Sequence, residues 1–169
     1  MINHLIKTFP DAASISGADA TASIPIVSQT PAVEWVMPSV ERLRSATRAD
    51  LSIPNWIGEA GLADPEHFLD LKLTAAAHFI EGQNPDVERL GPEYYVEKAA
   101  SCDVPLVLDV VTAFLALAEP RAVCERVKHY VQAGMMHDRF ALYLCNLGAT
   151  TPQADVLAAV DAAHTFGAY

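Results

Sequence analysis

From residue 50 onward the apolar positions fall into two rhythms. One recurs every three to four residues, the repeat of a helix with one buried face. Residues 65–81 put Phe68, Leu71, Ala75 and Phe79 on one stripe, with Gly82 placed to close the helix. Residues 120–133 group Val123, Val127, Tyr130 and Val131 ahead of Gly134, and residues 152–166 group Val156, Val160 and Ala163 ahead of Gly167. A shorter helix is expected over 92–101. Each of the four segments opens on an X-Pro pair: Asp64-Pro65, Gly91-Pro92, Glu119-Pro120 and Thr151-Pro152. Proline suits the first helical position, where its missing N–H has no intrahelical partner anyway. Asp64 and Thr151 are suited to cap through their side-chain oxygens, and Pro152 is expected in the first turn.

The second rhythm is continuous. "VPLVLDVV" (104–111) and "FALYLC" (140–145) do not alternate apolar with polar, as expected of strands buried on both faces of a parallel sheet. "LSIPNWI" (51–57) is a weaker strand, because Pro54 needs an edge or an end. The two clear strands start 36 residues apart, room for a helical right-handed crossover. The fold expected is α/β, with few parallel strands and flanking helices, over residues 49–169. Residues 1–48 differ. They are rich in Ala, Ser, Thr and Pro and read as an extended arm. The arm carries a short strand at "SIPIVS" (23–28) and a short helix at 39–46 that Ser39 would cap.

Composition narrows the function. The 169 residues are 51% hydrophobic and carry a formal net charge of −10. That charge, with no Lys/Arg cluster, argues against nucleic acid, whose phosphates demand clustered cations. The longest apolar run is interrupted by Asp109 and stops at Glu119-Pro120, too short and too polar to span a membrane. The first residues hold no long apolar stretch, so no signal peptide is expected. Three cysteines with no C-x-x-C spacing fit a reducing cytoplasm and no disulfide framework.

"YLCNLGATTP" (143–152) places a thiol where a strand gives way to a helix, the position at which parallel α/β proteins do their chemistry. Together with the helix ending at Gly134, the strand 140–145, the Thr151-Pro152 helix start and the closing Gly167-Ala168-Tyr169, it resembles the end of the uroporphyrinogen decarboxylase superfamily, which includes cobalamin-associated methyltransferases. "VPLVLDVVTAFLALAEPRAV" looks like that family's preceding unit: a strand, a loop, and a P-x-x-V helix start. The resemblance implies the C-terminal half of an eight-stranded (β/α) barrel. In the methyltransferases a cysteine six residues before the Thr of "TP" looks like the last zinc ligand, and Cys145 and Thr151 keep that spacing. No histidine follows in the turn, which sets the chain apart from the true decarboxylases. By resemblance, then, Cys145 would be a zinc-ligand thiolate, a small methyl donor the substrate, and a corrinoid would be carried by a partner protein. Two features depart from the pattern. The His-x-Cys pair that completes such a zinc site is missing, and the family's barrel is roughly twice as long.

The other singled-out residues are weighed against plainer roles. Cys145 also reads as a small inert core residue, and Cys102 and Cys124 as nothing more. Asp109 interrupts an apolar strand near its C-terminal end, a costly place for a carboxylate unless it is paired or faces a polar pocket. Trp56 and Glu59, beside the glycines of "NWIGEAG", and Asn146 after Cys145 are the remaining pocket candidates. His67 and His78 lie three helical turns apart, too far to share a metal. His129, His137 and His164 read as surface. No phosphate loop or G-x-S-x-G is present. Two functions of different class stand: a half-barrel methyltransferase-like subunit, completed by a copy of itself or by another chain, and a non-catalytic relative that binds or assembles.

Overall fold

The computed structural model describes residues 7–8, 15–16, 29–46, 51–52, 67, 70–71, 79–84 and 86–167. They belong to two units, Met1–Ile80 and Glu81–Tyr169.

In the first unit, β1 (Ile15–Ser16) pairs in parallel with β2 (Leu51–Ser52). Between them, α1 (Gln29–Pro31), a π-helical stretch (Ala32–Val36) and α2 (Met37–Ala46) follow without a break. The helix expected over 39–46 therefore begins much earlier, and Ser39 does not cap it. Its hydroxyl donates back to the carbonyl of Trp35 at 2.6 Å, the back-bond of a serine inside a helix. The π turn just before Pro38 absorbs a residue whose missing N–H breaks the regular ladder. The strand expected at 23–28, and residues Trp56 and Glu59, lie outside the described residues.

The second unit carries a three-stranded parallel sheet with flanking helices. Its elements run β3 (Ile80–Gly82), α3 (Asp86–Leu90), α4 (Pro92–Cys102), β4 (Leu106–Val111), α5 (Thr112–Leu117), α6 (Pro120–Gly134), β5 (Phe140–Cys145) and α7 (Gln153–Phe166). The strand order is β3-β4-β5. β4 and β5 pair in register from Leu106 opposite Phe140 to Val111 opposite Cys145. On β4, Leu106, Leu108 and Val110 are fully buried on one face. α6 buries Val123, Val127, Tyr130 and Val131, as its spacing predicts, and lies against both strands, α4 and α7.

Three expectations need correction. The helix expected to run to residue 81 gives way earlier: Phe79 is irregular and Ile80–Gly82 is a strand, while most of 65–78 is outside the described residues. Gly82 does not close a helix. A Cβ there would sit 2.7 Å from Leu108 and 2.8 Å from Val87, so glycine is what lets the strand approach its neighbours. The stretch after β4 is not a loop but α5, whose Phe114 ring lies 3.5 Å beneath the Arg126 guanidinium of α6. Finally, Thr151 does not cap α7. Pro152 holds the cap position without a side-chain bond, and the Thr151 hydroxyl instead accepts the Gly148 N–H at 3.1 Å, closing the loop. α4 starts as expected: Gly91 takes φ 85°, a value side chains resist, and turns the chain into Pro92.

Candidate functional site

Successive residues of a strand point to opposite faces, and in-register neighbours share a face. The pairing of Asp109 with Tyr143 and of Val111 with Cys145 therefore puts Asp109, Tyr143 and Cys145 on one side of the sheet, opposite Leu108, Val110, Leu142 and Leu144. β3 brings Glu81 to that same polar group: the Tyr143 hydroxyl donates to Glu81 Oε1 at 2.5 Å. Gln83, just past the end of β3, donates through Nε2 to Glu81 Oε1 at 2.6 Å and to the Tyr143 oxygen at 2.5 Å, and lies 3.9 Å from Cys145 Sγ. Three adjacent parallel strands thus hold two carboxylates, a phenol and a thiol together toward their C-terminal ends, as such sheets place their ligand sites.

Asp109 is the least compensated member. It is 1% exposed, and its carboxylate accepts the backbone N–H groups of Asn84 and Cys145, yet Oδ1 has no partner among the described residues. Burial pushes its pKa up to about 6; the two backbone donors oppose the shift, and the nearby charge of Glu81 adds to it. The same surroundings raise the neighbouring groups. Burial, then hydrogen bonding to Cys145 and Glu81, lifts the Tyr143 phenol. Burial lifts the Cys145 thiol, which Tyr143 partly offsets and Asp109 and Glu81 reinforce. Cys145 is thus a buried thiol at a strand end, held toward its neutral form, whereas a nucleophilic cysteine needs an electropositive setting.

Of the residues singled out in the sequence, Asp109 and Cys145 are brought together. Asn146 follows Cys145 with φ 58°, exposed, ending the strand. His137 donates to the Val104 carbonyl at 2.8 Å, tying the turn before β5 to the start of β4, away from the polar group. His129 pairs with Glu93 at 2.8 Å on the surface. Glu81, Gln83 and Tyr143 were missed. Glu81 and Gln83 sat where a helix was expected to end, and Tyr143 hides inside an apolar run.

The resemblance implies a zinc site at Cys145. Among the described residues no group of three or more His, Cys, Asp and Glu side chains is arranged to hold a metal ion. Cys145 would need ligands from elsewhere, since such sites take about three from protein. None of the described helices is long and apolar enough to cross a membrane. No family model matches the sequence, and neither the curated proteins nor the solved structures give a match, so the polar group at the strand ends is what carries the functional argument.

Proposed function

We propose that this chain is a half-barrel subunit of a uroporphyrinogen decarboxylase-like enzyme whose chemistry is proton transfer on a small polar substrate, with Asp109 as the acid–base residue. The observation behind this reading is the buried, half-satisfied carboxyl of Asp109 beside Glu81, Tyr143 and Cys145 on one face of three parallel strands. A carboxyl with its pKa near 6 exists in both protonation states near neutrality, which general acid–base catalysis requires. Its two backbone donors anchor the carboxyl through Oδ2 and leave Oδ1 open. Gln83 and Tyr143 hold Glu81 in place beside the group that gains and loses the proton. Methyl transfer through a zinc-bound Cys145 and a corrinoid-carrying partner is the family alternative, and it calls for ligands that the described residues do not supply. The non-catalytic reading also has an observation in its favour: Glu81, Gln83 and Tyr143 satisfy one another without any ligand. Under the half-barrel reading a further copy or another chain completes the sheet beyond β5, which pairs on one side only among the described strands.

The test is a panel of small carboxylic and carbonyl compounds incubated with the protein in D2O and followed by NMR. Wild type is expected to exchange a C–H next to a carbonyl of at least one compound. Asp109→Asn should slow that exchange at least a hundredfold, the usual scale for a lost acid–base group, and Cys145→Ser should leave most of it. If no compound exchanges, the non-catalytic reading stands instead. Stoichiometric zinc that disappears in Cys145→Ala would favour methyl transfer.

A further inference from the structure

On the opposite face of the sheet from Asp109 lies a pocket of about 150 Å³ between β4, β5, α6 and α7. Its floor is apolar and closed: Val110 is 0% exposed, and Val127 and Ala159 are each 1% exposed. Leu142 and Leu144 of β5 form one wall and Ala163 of α7 another, while Val160 and His164 stand at the mouth. The space has a simple origin. Ala159 and Ala163 are one helical turn apart on the same face, and neither side chain reaches far enough to fill the gap against the two leucines. The pocket opens to solvent at Val160 and His164, and the atoms of its apolar floor lack the dispersion contacts that an apolar occupant would supply.

We propose that this pocket is a binding site for a small, uncharged apolar molecule about the size of benzene or toluene. A buried water needs two to four polar partners, and the floor and walls offer apolar side chains, so water is a poor occupant. A dry aliphatic cavity of roughly 150 Å³ is known to accept a single aromatic ring. The pocket is too small for a helix or a peptide segment, and the floor and walls formed by Val110, Val127, Leu142, Leu144 and Ala159 bring no charge to pair with an ionic ligand. Parity along β5 puts the pocket on the face opposite Asp109 and Cys145, and Tyr143 is the one residue that borders both the pocket and the polar group.

The experiment uses the full chain and toluene. Binding to the folded state alone raises the thermal midpoint in proportion to the logarithm of ligand concentration once it exceeds the dissociation constant. Toluene should therefore raise the midpoint progressively, and should shift the methyl NMR signals of Val110, Val127, Leu142 and Leu144 along one saturable curve. Ala163→Leu, which fills the space, should weaken binding at least tenfold. Ala163→Val is the milder variant should the leucine fail to fold, and a clear but smaller loss is expected of it. The proposal is overturned if toluene gives no saturable shift, if the shifts fall at Asp109 and Cys145 rather than at the pocket methyls, or if a folded cavity-filling variant binds as well as wild type.

Discussion

Asp109 shows how far a single residue can be read. A carboxylate inside "VPLVLDVV" is legible from sequence as an exception to an apolar run, and burial explains why it matters: ionising it in place means leaving Oδ1 charged and unpaired. Its companions were not legible. Tyr143 reads as one more large side chain in "FALYLC", and only the strand register shows that it faces Asp109 while Leu142 and Leu144 face away. The burial of Asp109 has a consequence for stability. Folding raises its pKa from 3.8 to about 6, so the native state keeps its proton at a pH where the unfolded chain has lost it. The native state then binds more protons, and stability falls as pH rises through that window and stays low above it. Asp109→Asn does not titrate. Relative to wild type it should gain about 2 kcal/mol between pH 4.5 and pH 7.5, measured by urea denaturation at both. A difference independent of pH would mean that Asp109 is not held protonated by the fold.

Among the elements, those with a long, clean repeat were readable and those defined by a neighbour were not. α6 and β5 fall where the pattern puts them, because a helical stripe or a continuous apolar run is a property of the segment itself. β3 is three residues long and exists because β4 lies alongside it; nothing local in "FIEGQN" distinguishes it from the end of a helix. α5 has six residues and rests on contact with α6 and α7 more than on its own pattern. The start of α7 moved for a similar reason, since Thr151 bonds within its loop and not to the helix. At the junction of α6 and β5, Gly134 was expected as a stop signal, and it proves to be a packing position: a Cβ there would run into the ring of Phe140. Gly134→Ala should therefore cost about 1–3 kcal/mol in chemical denaturation, although alanine is the better helix former. A neutral or stabilising result would show that Phe140 can step aside.

For the whole molecule, the decisive quantity is charge. A net charge of −10 keeps copies apart through long-range repulsion, which salt screens over about 8–10 Å near physiological strength. If, as proposed, a second copy completes the sheet, self-association should strengthen as salt rises from low to physiological levels, and sedimentation at micromolar concentration should show this. A mass of 18 kDa at every salt concentration would rule out completion by a second copy. Under the proposed half-barrel reading it would leave a different chain to complete the sheet. The same acidity makes a basic partner favourable at low salt, so the sign of the salt dependence separates the two kinds of partner.

The alternation of β5 has a consequence at this scale. One six-residue strand serves as the shared wall of two compartments with opposed requirements, one polar and hydrogen-bonded, the other apolar and underfilled. The side chains of Tyr143 and Cys145 answer to Glu81, Gln83 and Asp109, those of Leu142 and Leu144 to Val110, Val127 and the alanines of α7, and Tyr143 also borders the apolar side. Cys145 can change with little effect on the leucines, and the leucines with little effect on Cys145, while Tyr143 ties the two compartments together. What the strand cannot tolerate is a shift of frame. Inserting or removing one residue ahead of Phe140 would exchange the two sets at once, setting leucines among the carboxylates and a phenol among the alanines.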